Sequence, residues 1–373
     1  MGTSLRQRIL AVYSGDVPDV VPYMLDLSHW FYHRNHLPWD LSVAYEAPER
    51  ELIDCHRRLG CGFYLANLAS FYSTSFSEDV AAETEKQVRK DGRPEIVWRL
   101  KTPLGEIERR RAWEESTYGW GISRWGVRTE RDLAVLAYAM SRRRFDPQWR
   151  NYRAWVDEVG DVYVSAGYSA MGYLLHYWMG VEGVAYATAD FPDSLRRAVD
   201  EVNANNLRLV DLVARSPAEV VILGDNFSGD VQSPAFFAKW SKPYYDEAVR
   251  RLHAAGKRVA VHIDGRLRGA IGMIRRTGAD CGDAITPTPM GDLTPQACRD
   301  EAGPAFILSG GVSPNLWLPG VPVDVFKAKV TEWLELRKRS PRLIAGAGDQ
   351  VPPGADEDRI HIMRDLVEEH GRY

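Results

Sequence analysis

The feature that most constrains this chain is a succession of short apolar runs, many rich in β-branched residues, most closing on glycine, asparagine, aspartate or histidine. Eight can be read, at 20–26 (VVPYMLD), 62–67 (GFYLAN), 161–168 (DVYVSAGY), 219–226 (EVVILGDN), 258–264 (RVAVHID), 279–285 (ADCGDAI), 305–310 (AFILSG) and 342–349 (RLIAGAGD). Runs of this length bounded by such residues predict strands, and most are followed by longer segments of helical period. The clearest predicted helices are 192–214, 236–255 and 323–338, the second ending at Gly256 as a helix C-terminus should. Strand and helix alternating in this way argue for parallel pairing through right-handed crossovers, and a count of eight favours closure into a (β/α)8 TIM barrel over an open doubly wound sheet.

Length is compatible with that reading, since 373 residues suit one large barrel as well as two ordinary domains. We expect a single barrel domain over 1–373, with 93–145 as an insertion or lid. Within it, 93–113 reads as a β-hairpin around Pro103-Leu104-Gly105, inserted after the second strand, and 116–127 (STYGWGISRWGV) as an aromatic loop. A formal net charge of −4 without a long single-sign run gives no footprint for nucleic acid or a membrane surface. The start lacks the apolar stretch of a secretory signal and no run is long enough to span a bilayer, so a cytoplasmic location is expected. Four cysteines without CxxC spacing read as reduced, mostly buried thiols.

In such barrels the chemistry sits where the strands end at their C-terminal side. Here those ends bear Asp26 and His29, Asn67, Tyr168, Asp225 and Asn226, His262 and Asp264, Asp283, and Asp349. Any single one serves equally as a helix cap or turn residue. His262 and Asp264 stand two apart on a strand and should share a face. With Asp283 they suit a divalent metal, zinc or another, or else proton transfer in which Asp264 fixes the tautomer of His262. The spacing leaves both open. Gly310, in SGGVSP, could offer backbone N–H groups to a phosphate or carboxylate. His29, Trp30, Tyr168 and Trp120 are expected to line a substrate pocket, with Asp225 and Asn226 orienting what binds there.

These residues also carry a resemblance. RQRILAVYSGDVPDVVPY, the long segment 224–265 from GDNFSGD to AVHIDG, TPTPMGDLTPQACRD, LSGGVSP and GAGDQVPPGADEDRI resemble, in order, the uroporphyrinogen decarboxylase superfamily. That superfamily holds the decarboxylase itself and corrinoid- and zinc-dependent methyltransferases. The resemblance implies a (β/α)8 barrel with its cleft at the strand ends and, by family habit, a homodimer.

The zinc methyltransferases of that superfamily carry His-x-Cys after the fifth strand and a further cysteine near the last. Here the first motif is His262-Ile263-Asp264, and AGAGDQ has no cysteine, so only His262 matches and any metal site becomes one of oxygen ligands. The decarboxylase opens with an arginine-bearing segment that grips carboxylates, whereas this chain has YMLDLSHWFYH with Asp26. The expectation is therefore a methyltransferase or demethylase acting on a small molecule with a corrinoid carried by a partner protein, metal-assisted or not. Cofactor-free decarboxylation of a porphyrinogen or other carboxylate-rich acid, with Asp225 essential, is the alternative. A catalytically degraded barrel that binds a ligand is the third reading.

Overall fold

Six of the strands lie side by side in one parallel sheet, in the order β14 (Leu343–Gly346), β13 (Ile307–Gly311), β12 (Cys281–Ile285), β11 (Arg258–Ile263), β10 (Val220–Phe227) and β9 (Tyr163–Ser165). The structure is a computed structural model that describes residues 3–36, 49–63, 71–150, 152–153 and 163–373. A further parallel pair, β1 (Met24–Leu25) with β2 (Gly62–Phe63), meets the free side of β14 through parallel bridges at Tyr23 with Ala345 and Asp26 with Gln350. The neighbour order is thus β2, β1, β14, β13, β12, β11, β10, β9, with every join parallel. A pairing of β2 with β9 is not among those of the described residues. Asn67, expected at the end of the second strand, lies outside the described residues.

Every residue of β12, β13 and β14 is buried, as expected of parallel strands covered on both faces. The covering helices follow from sequence period. Helix Pro192–Ala214 buries Leu195, Val199, Val202, Asn206, Leu209 and Val213, one stripe at helical spacing, and Pro192 starts it where a missing N–H costs nothing. The predicted helix 236–255 is two helices, Pro234–Trp240 and Lys242–Ala254. Pro243 cannot donate to the preceding turn and suits the first turn of a new helix, so the break falls at Ser241.

Between β2 and β9 the chain leaves this sheet. Strands β4 (Ala81–Val88), β5 (Pro94–Thr102), β6 (Gly105–Glu114) and β7 (Gly119–Arg124) form an antiparallel meander, and β3 (Tyr72–Phe76) pairs antiparallel with β8 (Arg143–Pro147). The stretch 116–127, expected to be a loop, therefore supplies the fourth strand of the meander. Its Trp120 is opposite Trp113 across the β6/β7 register, with ring centroids 5.4 Å apart, and that aromatic pair offsets the poor strand propensity of the flanking glycines. This sheet packs with helix Glu130–Met140 and the segment 170–178 around a core of its own, including Leu100, Ile107, Leu133, Leu136, Leu174 and Trp178. No helix of the described residues is long and apolar enough to cross a membrane.

Candidate active site

Three neighbouring strands of the parallel sheet place three polar side chains next to one another. His262 on β11 is in register with Asp283 on β12, and Ser309 follows Leu308 on β13, which pairs with Gly282. His262 Nδ1 lies 3.2 Å from Asp283 Oδ2, and the Ser309 hydroxyl donates to Asp283 Oδ1 at 3.1 Å. Asp283 is buried and uses both oxygens. Above this relay is a small cavity of about 30 Å3, room for little more than one or two water-sized groups, lined also by Asp26, Gly310 and Asp349. Asp26 is held at its edge, accepting from the Ser28 N–H at 2.9 Å and from Gln350 Nε2 at 3.3 Å.

The backbone is bent to make this geometry. Asn226 and Ala284 adopt left-handed conformations, φ 48° and 59°, and each sits inside a register irregularity at the C-terminal end of its strand. For a residue with a Cβ such a conformation costs of order 1–3 kcal/mol, less for asparagine than for alanine, and is retained where the surroundings demand it. Gly310 has φ 150°, and a Cβ there would stand 2.3 Å from the Ile285 carbonyl oxygen. Only glycine lets β13 approach β12 this closely at the cavity wall.

Charge converges on His262. Burial by itself would lower its pKa, but the hydrogen bond to Asp283 and the charges of Asp349, Asp283 and Asp264 outweigh that and raise it to about 9. The imidazole is thus a cation at neutral pH. Asp349 is lifted to about 6, first by burial and then by Asp264 and Asp26, with the His262 charge opposing. A cationic imidazole beside a carboxyl that titrates near neutrality can hold and deliver a proton.

Asp264 is not on the strand face expected for it. β11 ends at Ile263, the Asp264 N–H donates to the Phe227 carbonyl, and the exposed carboxylate accepts from the Gly265 N–H at 2.8 Å. It acts on His262 through its charge, from the rim. The tentative metal set His262, Asp264 and Asp283 does not come together as ligands, and no group of three His, Cys, Asp or Glu among the described residues could hold a metal ion. The cysteines, Cys55, Cys61, Cys281 and Cys298, are all buried and none lines the cavity.

Asp225, expected to catalyse or orient, is buried elsewhere. Its Oδ1 accepts from the Ser169 N–H at 2.6 Å and its Oδ2 from the Tyr245 hydroxyl at 2.8 Å, and burial raises its pKa. It ties the helix beginning at Ala170 to helix Lys242–Ala254. Trp30 is likewise buried, with its indole N–H donating to the Ala355 carbonyl. His29 donates through Nε2 to the Tyr118 carbonyl at 2.7 Å, which joins the first βα segment to the antiparallel sheet, and burial lowers its pKa. Tyr168 bonds the Tyr177 hydroxyl at 2.7 Å.

Two groups that the sequence reading passed over belong here. His176 lies on a π-helical turn, Leu174–Trp178, within hydrogen-bonding reach of the Asn226 backbone and under the influence of Asp264, Arg111 and His262. Burial is the main reason its pKa is lowered, and the charges of Arg111 and His262 lower it further. Arg111 of β6 reaches the His176 carbonyl and stacks 5.1 Å from the centre of the Tyr177 ring. A π-turn has no periodicity of its own in a sequence, although such turns are frequent at functional sites.

The family model for uroporphyrinogen decarboxylase (URO-D) matches residues 126–370, well over half of the chain. This chain belongs to the URO-D family. Among solved structures, the URO-D chain is similar to a methyltransferase from Methanosarcina mazei, with TM-score 0.64, 16% identity and 99% of each chain covered, a likeness of fold. A type I 3-dehydroquinate dehydratase from Clostridium difficile matches with TM-score 0.29 and 10% identity over 59% of this chain and 88% of that one, too remote to carry an argument. No curated protein matches this chain.

Proposed function

We propose that this URO-D family member is an acid-assisted methyltransferase or demethylase that separates a methyl group from an oxygen of a small substrate. The observation that carries the reading is the row Ser309, Asp283, His262, which ends in an imidazolium at the cavity. As the bond from methyl to oxygen breaks, its electron pair stays on oxygen, and the His262 proton neutralises it to give an alcohol or phenol. The methyl group passes to a nucleophile. The acceptor we expect is a corrinoid carried by a partner protein, which would supply a reduced cobalt nucleophile. His262 donates the proton, Asp283 and Ser309 fix its ring, Asp349 can restore the proton, and His176 and Asn226 border the path from the rim.

The carboxylates Asp26, Asp264, Asp283 and Asp349 around His262 disfavour a carboxylate-rich substrate there, which weighs against decarboxylation. In this proposal the eight parallel strands close into a (β/α)8 barrel of one domain, with the antiparallel sheet as an insertion after the second strand. The cytoplasmic location and the homodimer remain expectations from sequence and family.

The test is to incubate the purified protein with methoxy-substituted aromatics and reduced cobalamin, following methylated cobalamin by absorbance and the free phenol by chromatography. The expected result is equal formation of both, lost in His262→Asn. Carbon dioxide release from a porphyrinogen, without methyl transfer from any substrate, would overturn the proposal.

A further inference from the structure

A second cavity, of about 330 Å3, lies outside the parallel sheet, between the antiparallel strands and the segment that carries the π-turn. Tyr72, Phe145, Trp98, Trp178, Leu100 and Leu209 make it largely apolar, and three arginines, Arg99, Arg109 and Arg143, interrupt that lining. Arg143 spends its donors on the protein: Nε on the Met140 carbonyl, Nη1 on the Tyr173 hydroxyl and Nη2 on Asn206. Arg109 does not. Its faces are covered by Trp98, Trp178 and Tyr177, with centroids 4.2, 5.0 and 5.3 Å away, while Nε and Nη1 are buried with no hydrogen-bond partner.

Neither Arg109 nor Arg143 has a carboxylate partner among the described residues. The one acid in the lining, Glu83, is taken by Lys101 at 2.7 and 2.9 Å, and Arg99 is taken by Glu85 and Glu108. A buried cation without a counter-charge is costly, and burial together with the neighbouring Arg111 already lowers the Arg109 pKa to about 9.

We infer that this cavity is a binding site for a small carboxylate with an aromatic body, its carboxylate received by Arg109 and its ring by the apolar walls. The donor inventory selects this class. Every Arg143 nitrogen already bonds the protein, which leaves Arg109 as the guanidinium without a hydrogen-bond partner, and one such group suits a monoanion better than phosphate, whose dianion asks for more. The volume lies at the small end of ligand pockets, the right size for a compact aromatic acid. The site is separate from the His262 cavity, with which it shares no lining residue.

Benzoate, benzamide and inorganic phosphate are the probes, titrated into the full chain by calorimetry and by fluorescence of the tryptophans that wall the cavity. Benzoate should bind saturably, benzamide at least about tenfold more weakly for want of the charge-assisted bond, and phosphate not at all. Arg109→Met should lose benzoate binding while melting no lower than the parent, because an unpaired buried charge has been removed. Thr84→Trp, a change on the exposed outer strand that fills the cavity with Arg109 intact, should lose it as well. His262→Asn should keep it, which makes the result independent of the proposed reaction. Benzoate binding that survives Arg109→Met, phosphate binding as tight as benzoate, or no saturable binding of benzoate would each overturn the inference.

Discussion

His262 owes its charge to neighbours brought in by other strands. Asp283 on β12 accepts its Nδ1 hydrogen bond, and Asp349, following β14, adds a second carboxylate, so the folded protein binds the proton until pH about 9. As a general acid His262 works while protonated, so activity should fall as pH rises through about 9. At pH 6 and below His262 stays protonated whether or not Asp349, lifted to about 6, is ionised, so this pair predicts no acid limb. The expectation is a profile of kcat/KM with a single upper limb near 9, and replacing Asp283 with asparagine should move that limb acidward by about 1–3 units. An upper limb unmoved by Asp283→Asn would remove His262 as the acid. His262→Asn itself should lower kcat by about 10²–10⁴-fold with folding unimpaired. The same shift has a stability sign. A pKa raised on folding stabilises fully below the unfolded value of about 6.5 and stops doing so as pH rises through 9, so the melting-temperature advantage of wild type over His262→Asn should shrink between pH 6 and 10.

The elements show what a sequence can and cannot disclose. The runs of the parallel sheet were legible because buried strands must be apolar and their ends here are polar, and register then sets His262 beside Asp283. β4 was not legible. It is exposed along nearly its whole length, and what holds AAETEKQV in a sheet is the partner strand with cross-strand ion pairs, Lys101 with Glu83 and Arg99 with Glu85. Asp225 shows a second limit: a strand-end aspartate looks the same in sequence whether it faces a cleft or a helix terminus. Here it faces the terminus, so Asp225→Ala should leave the Ser169 N–H and Tyr245 hydroxyl unsatisfied. The expected cost is about 2–4 kcal/mol in urea unfolding, with Asp225→Asn much milder. If Asp225→Ala were instead fully stable and inactive, a chemical role would have to be restored to it.

At the scale of the whole molecule, the antiparallel sheet and the parallel sheet have separate hydrophobic cores, and the route between them passes through the π-turn. The N–H groups of Gly126 and Val127, just past β7, donate to the Trp178 carbonyl at 3.0 and 2.8 Å, and two residues before Trp178 is His176. A Cβ at Gly126 would stand 2.7 Å from the Trp178 ring and 3.2 Å from the Glu108 carbonyl oxygen, so Gly126→Ala should wedge the sheet away from this turn. Overpacking of this kind costs about 1–3 kcal/mol, which a chain of this size can absorb without unfolding. Its effect should be local. Hydrogen exchange should quicken across 94–124 and 170–178 while β11 to β14 keep their protection, because the parallel core does not rest on this contact. Activity should fall more than global stability does, since His176 moves with the turn while His262 and Asp283 stay in place. Uniform loss of protection would mean that the two cores open as one cooperative unit, with the antiparallel sheet structurally continuous with the parallel one.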